Sequence, residues 1–143
     1  MAAFRIVNYS AEHFEGVRAL WRQAFPDNPQ WNMGEIAATA KLPAWADLFF
    51  IAQDAEEVVG SIMAGFDGHQ GWLYAVAVLR SHRRQRLGSA LVREAEARLA
   101  AMGCVKCGLQ IGLANREVVG FYSSLGYAIE ACVSMEKNIA GMS

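Results

Sequence analysis

The segment from Trp72 to Leu79 (WLYAVAVL) is apolar on both faces and runs directly into a turn that holds Arg80, Arg83, Arg84 and Arg86 within seven positions. Alternate residues of a strand point to opposite sides, so such a run predicts a strand buried on both faces, central in a sheet that helices cover. After the turn, Leu87, Leu91, Ala95, Leu99 and Met102 recur at helical spacing, with Arg93, Glu94, Glu96 and Arg98 off the stripe. Gly103 stands where a helix ends in a left-handed C′ glycine. Strand, basic turn and amphipathic helix form the unit around which the rest must fold.

The flanking segments supply further elements. Arg5 to Tyr9 alternates as a strand, and Ser10 can cap a helix that starts at Ala11 and carries Phe14, Val17, Trp21 and Ala24 through Phe25. Pro26 to Asn32 is turn-rich, and a weaker helix from Met33 to Lys41 stops before Pro43. Leu48–Gln53 and Val58–Phe66 read as a β-hairpin, followed by a turn at Asp67–Gly71. Val105 to Ile111 alternates as a strand, Arg116 to Leu125 reads as a short helix with Gly126 past its end, and Tyr127 to Lys137 predicts a last long strand. The order β-α-α-β-β-β-α-β-α-β makes an α/β (α+β) chain with helices packed on a mixed sheet.

The chain has 143 residues, which fits a single domain spanning 1–143 with a core of its own. Its hydrophobic fraction of 54% excludes a disordered or low-complexity chain. No apolar stretch approaches the roughly 20 residues of a membrane helix, and the start MAAFRIVNYS lacks the pattern of an export signal. The expectation is a cytoplasmic protein with no membrane partner. Three cysteines give no disulfide framework, and Cys104 and Cys107, three apart on an expected strand, point to opposite faces with no second pair to complete a metal site.

Charge is unevenly distributed. Residues 1–79 hold 4 Lys and Arg against 9 Asp and Glu, whereas residues 80–143 hold 9 against 5. A nucleic-acid binder would spread basic residues over a whole face, and a pI of 6.3 argues against that partner. One concentrated cationic turn at the start of a helix argues instead for a small anion. The first amides of a helix lack internal acceptors and carry partial positive charge, Gly88 and Ser89 leave room for approach to the backbone, and the arginines add donors. A phosphate or pyrophosphate fits. Neither GxxxxGK[ST] nor GxGxxG is present, so the two commonest phosphate cradles are excluded.

Arg83-Arg84-Gln85-Arg86-Leu87-Gly88 resembles the [Q/R]-x-x-G-x-[G/A] loop of the GNAT superfamily of N-acetyltransferases, which binds the pyrophosphate of acetyl-CoA. A second landmark of that family, an Asn followed seven residues later by a Tyr leading into Leu-Gly-[Phe/Tyr], is matched by Asn115 and Tyr122 in NREVVGFYSSLGY. Together they cover roughly residues 58–137, and DGHQGWLYAVAV further resembles a strand of the YpeA-like bacterial subgroup. The chain departs from the pattern at Arg86, where the family has glycine, and at Arg80, where proline is common. Donation by a backbone amide needs no particular side chain, and the helix start predicts a negative φ at Arg86 that would leave the cradle intact.

The resemblance implies a mostly antiparallel sheet splayed between its fourth and fifth strands, with pantetheine in the wedge between Tyr74–Val78 and Gly108–Gly112. It assigns acetyl-CoA to Val76, Val78, Arg83, Arg84, Gln85, Arg86, Leu87, Gly88, Ser89, Asn115 and Tyr122. Tyr122 takes the general-acid position. Glycines at 108 and 112 fit either a close approach or a bulge. The base is open among Glu35, Asp67 and His69, with a water chain as competitor, and Asp67 reads equally well as a turn cap. Trp31, Asn32 and Tyr74 lie where the family shapes its acceptor pocket, and acidic Asp27, Glu35 and Asp47 would suit a cationic amine. His82 reads as a surface residue.

The implied activity is acetyl-CoA-dependent N-acetylation of a small-molecule or amino-acid-like primary amine. Alternatives are acetylation of a protein N-terminus or lysine, which bulky Trp31 and Trp45 could obstruct, and a non-catalytic acyl-CoA-binding module. An exposed sheet edge and an apolar last strand would suit a homodimer.

Overall fold

Neighbouring residues of one strand show why this sheet carries a helix on each side. In the computed structural model, which describes residues 4–26, 46–83 and 86–139, Phe49 belongs to the core cluster around Trp21, while the next ring, Phe50, lies under the guanidinium of Arg98 at 5.5 Å. Two compact units divide the chain, Met1–Gln110 and Ile111–Ser143.

In the first unit a five-stranded sheet runs in the order β1 (Arg5–Asn8), β2 (Phe49–Asp54), β3 (Glu57–Phe66), β4 (Gly71–Val78) and β5 (Cys107–Gly108). The first four strands are antiparallel neighbours and β5 lies parallel to β4. Short turns can join only antiparallel strands, whereas the parallel step needs the crossover that the helix after β4 provides. Helix α1 (Phe14–Ala24) follows a 3-10 turn at Ala11–His13 and buries Val17, Leu20 and Trp21 on one face of the sheet. Helix α2 (Leu87–Ala101) buries Leu87, Leu91, Val92, Ala95 and Leu99 on the other. As expected, Gly103 ends α2 in a left-handed conformation (φ +92), and Cys104 N donates to Leu99 O at 3.0 Å to close the last turn.

Strand β4 changes face along its length. Between the pairs Ser61–Ala77 and Met63–Tyr74, β3 contributes one residue, Ile62, and β4 contributes two, Ala75 and Val76. The extra residue is a bulge, and Ala75 takes a left-handed φ of +49. Before it, Gly71 abuts Leu99 of α2; after it, Ala75 and Ala77 join the cluster on the α1 side. In an unbroken strand these three odd-numbered residues would share one face. A non-glycine residue held there costs about 1–2 kcal/mol, so something in the core must hold it.

The strand expected over 105–111 is shorter, because the ladder with β4 consists of Gly71–Cys107 and Trp72–Gly108 alone. The ladder ends at Trp72 while β4 continues to Val78, in line with the expected splay. Gly108 is a close-approach glycine, since a Cβ there would stand 2.6 Å from Gln70 Nε2 and 3.1 Å from the Trp72 ring.

In the second unit a 3-10 segment (Leu113–Val118) leads into α3 (Val119–Ser124), which closes at Gly126. The last strand, expected over Tyr127–Lys137, does not form. Ile129, Val133 and Met135 are 85%, 88% and 90% exposed, and no strand ladder includes this segment among the described residues. Alternating apolar residues make a strand only where a sheet edge and a core receive them. The helix expected over Met33–Lys41 lies outside the described residues.

Candidate active site

Helix α2 begins without a cap. Among the described residues no protein group accepts a hydrogen bond from the amides of Leu87, Gly88 or Ser89, and the Arg86 side chain makes no capping bond. These are the donors that a helix start directs at an anion. Gly60 on β3 lets the helix start sit low on the sheet: a Cβ there would stand 2.6 Å from Leu87, 3.0 Å from Leu91 and 3.2 Å from Ala77 O.

Arg86 does not have the negative φ expected of it. Its φ and ψ are 61 and 19, in the left-handed region. The expectation treated Arg86 as the first helical residue, whereas it is the N-cap, where dihedrals need not be helical. The position suits glycine. The condition set for the cradle at Arg86 is therefore not met, while the helix start itself is regular: Ala90 N reaches Arg86 O at 3.0 Å and the helix proceeds normally from Leu87.

The turn before the cradle is wired to two other elements. Arg80 N donates to Gln23 Oε1 of α1 at 3.1 Å, and His82 Nε2 lies 2.9 Å from Asp54 Oδ2 at the end of β2. The other ring nitrogen of His82 lies 2.7 Å from Ser81 Oγ. His82, expected at the surface, has a side chain only 13% exposed and acts as a brace. Arg83 is exposed, with Nε 3.4 Å from Val78 O. Arg84 and Gln85 lie outside the described residues, as do Asp27, Trp31, Asn32, Glu35 and Trp45.

On β4, Val76 and Val78 are half-buried just after the bulge. The bulge has a buried anchor that sequence reasoning missed: Ser61 Oγ donates to Ala75 O at 2.8 Å and accepts from Trp21 Nε1 at 2.9 Å. A single serine inside the apolar run VVGSIMAGF was the available signal. Tyr74 is half-buried, and burial, with the negative charge of Asp67 adding to it, pushes its phenol up from the ordinary value.

The base candidates fare unequally. Asp67 caps its turn by accepting the amides of His69 and Gln70, each at 2.7 Å. Those bonds, Gln70 first, hold its carboxyl below the ordinary range, which makes it a weaker base. His69 is exposed in the same turn. No cluster of three or more metal-ligating side chains occurs among the described residues.

In the second unit Tyr122 packs edge-on against Phe121 and Tyr127, with ring centroids at 4.8 and 5.9 Å. Burial pushes its phenol up to about 12. Asn115 is exposed and sits at a kink in the 3-10 segment, its φ of −113 outside the helical range.

Comparison with known proteins agrees with this architecture. The model of the acetyltransferase (GNAT) family matches residues 14–127. The chain is similar to an acetyltransferase of Pectobacterium atrosepticum, 34% identical over 92% of both chains. It is also similar to one of Sodalis glossinidius, 38% identical over 85% of both. Among solved structures, the fold is shared with Ard1 of Thermoplasma volcanium (TM-score 0.80, 22% identity, covering 91% of this chain and 86% of that one). It is also shared with the aminoglycoside acetyltransferase AAC(6')-Iy in complex with a CoA–acetylneamine bisubstrate analogue (TM-score 0.77, 19% identity, covering 96% and 99%). A match across most of its length, together with two curated relatives above 30% identity, shows that the chain belongs to the GNAT family of acetyltransferases.

Proposed function

We propose that the chain, as one catalytic domain, transfers the acetyl group of acetyl-CoA to the primary amine of a small molecule. The observation that carries this reading is the uncapped start of α2 beside the basic turn. The residues present fit the donor. Open amides at Leu87, Gly88 and Ser89 suit a diphosphate, and a left-handed residue next to them helps turn successive N–H groups to one side, as in anion-binding nests. β4 continues past the end of its ladder with β5, which leaves strand length at Val76 and Val78 to pair with an amide-rich chain. A small amine is favoured over other acceptors by the shared fold with an enzyme held on an acetylneamine analogue.

Acetyl-CoA supplies an activated thioester whose carbonyl a neutral amine attacks as the carbon–sulfur bond breaks. An alkylammonium of pKa about 10.4 must first lose its proton, which at pH 7 costs about 4–5 kcal/mol. Asp67 is spent on its turn and poorly suited to that task. His69, Glu35 or a water path to a backbone carbonyl are the remaining receivers.

Tyr122 holds the acid position, with Asn115 binding the amide chain of the donor. A phenol near 12 keeps its proton throughout the neutral range. Full transfer to a thiolate of pKa about 8.5 is uphill by roughly 4–5 kcal/mol, so the phenol stabilises departing sulfur as a hydrogen-bond donor. That role predicts a moderate effect. Tyr122→Phe lowers kcat by about tenfold while the Kd for acetyl-CoA stays within about twofold. Spectrophotometric titration of the wild-type protein should show a phenol with a midpoint of about 12 that Tyr122→Phe lacks. The folded-state value is raised, so this group's contribution to stability is full below pH 10 and is lost as pH rises through 12.

The reading as a whole is tested by titrating acetyl-CoA calorimetrically and following free thiol release across a panel of small amines and peptides. Binding with thiol release from small amines is expected. No binding removes the donor site, and release with peptides alone overturns the acceptor class.

A further inference from the structure

We infer that Trp21 and Ser61 are positioning residues for acetyl transfer, holding the β4 backbone in the bulge at Ala75 from which Val76 follows. The inference rests on the reading of β4 as the strand that orients the thioester.

Ser61 is fully buried (0% exposed) in a strand whose other buried residues, Val58 to Gly65, are apolar. A hydroxyl has one proton to donate, and an indole N–H can only donate. Trp21 Nε1 therefore occupies a lone pair of Ser61 Oγ at 2.9 Å and leaves the hydroxyl proton directed at Ala75 O, 2.8 Å away. The relay has one polarity, from α1 through β3 to β4. Its first member is fixed by packing: the Trp21 ring stacks on Phe49 at 5.9 Å and 17°, meets Phe25 edge-on at 6.5 Å, and is 1% exposed.

Its last member is the carbonyl of the residue that takes a left-handed φ of +49 inside a strand. Without the serine proton that carbonyl would be buried without a partner, which favours return of Ala75 to the ordinary β region. Such a return undoes the extra residue and swaps the faces of Val76, Ala77 and Val78. Backbone groups offered to the acyl carrier at Val76 and Val78 then point elsewhere. The relay governs orientation more than affinity, because the phosphate donors at Leu87 to Ser89 belong to α2 and make no bond with it, and only the pairings at Val76 and Val78 are lost.

The test compares the wild type with Ser61→Ala, Trp21→Phe, Ser61→Thr and Val17→Ala. Val17 packs in the same cluster but has no polar atom, so its truncation reports destabilisation alone. Wild-type affinity and turnover are measured first, and failure of acetyl-CoA to bind sinks the donor reading by itself. Amide hydrogen exchange of Ala75 to Ala77 in the unliganded protein reports the relay independently of any ligand. Ser61→Ala should speed that exchange by roughly tenfold or more and lower kcat by at least about tenfold, with the acetyl-CoA Kd within about threefold.

Trp21→Phe should move both readouts the same way by a smaller factor. It also keeps the test open if Ser61→Ala fails to fold. Ser61→Thr, which retains the hydroxyl, should stay within about threefold of wild-type kcat, and Val17→Ala should lower the melting temperature with kcat unchanged. Unchanged exchange and turnover in Ser61→Ala and Trp21→Phe would overturn the inference. So would Ser61→Thr falling as far as Ser61→Ala, or Val17→Ala losing kcat to the same degree.

Discussion

Two residues other than glycine on the path proposed for the donor are left-handed, Ala75 at φ +49 and Arg86 at φ +61, and they are held in opposite ways. Ala75 is buried, and its carbonyl is bonded to Ser61, which Trp21 bonds in turn. Arg86 is exposed at the mouth of α2, its side chain makes no capping bond, and the amides that follow it have no protein acceptor among the described residues. The first strained residue is secured by the protein before any ligand arrives. The second stands next to donors left open for one. An orienting element needs its geometry in advance, whereas an anion site needs its donors unspent.

The comparison breaks most visibly at Ser89. A carboxylate in the first turn of a helix favours the helix dipole but repels a diphosphate. Ser89→Asp should therefore weaken acetyl-CoA binding by roughly 30-fold or more, the effect of about 2 kcal/mol of like-charge repulsion, while the unliganded melting temperature holds or rises slightly. A fall in both would mean that the α2 start is structural rather than a binding site.

Next in size is Gly60→Ala, which presses on Leu87, Leu91 and Ala77 O together and so disturbs the helix start and the strand after the bulge at once. Denaturant unfolding should show a loss of about 1–3 kcal/mol. The smallest effect separates the two left-handed positions. Arg86→Gly removes strain with no burial to lose and should gain about 0.5–1 kcal/mol, whereas Ala75→Gly also surrenders a buried methyl and should come out near zero. Equal gains at both would mean that Ala75 is no better secured than Arg86.

Much of this frame was legible because it is decided locally. The stripe from Leu87 to Met102 and the glycine at 103 announce α2 within one segment, and the hairpin of β2 and β3 follows from its own alternation. The spacing of Asn115 and Tyr122 pointed to the family without help from tertiary structure. What escaped depends on distant partners. Trp21 and Ser61 lie 40 positions apart, and nothing near either one announces the bond between them or the bulge it holds. His82 looked like a surface residue because Asp54, which braces it, is 28 positions away. Tyr127 to Lys137 has a strand's alternation but joins no ladder among the described residues, and Arg86 departs from expectation by a single position, at the border between loop and helix.

The exchange of faces at Ala75 makes the length of β4 unforgiving. Removing one residue between Leu73 and Ala77 would leave both halves on their present faces but erase the bulge, and adding one while the bulge is kept would turn one half inside out. The short turn at Ala55 and Glu56, by contrast, is exposed and lies beyond the buried stretch of both strands, where an extra residue can be taken up as loop. Variants of this chain that remain active should accept insertions and deletions at that turn long before they accept any in β4.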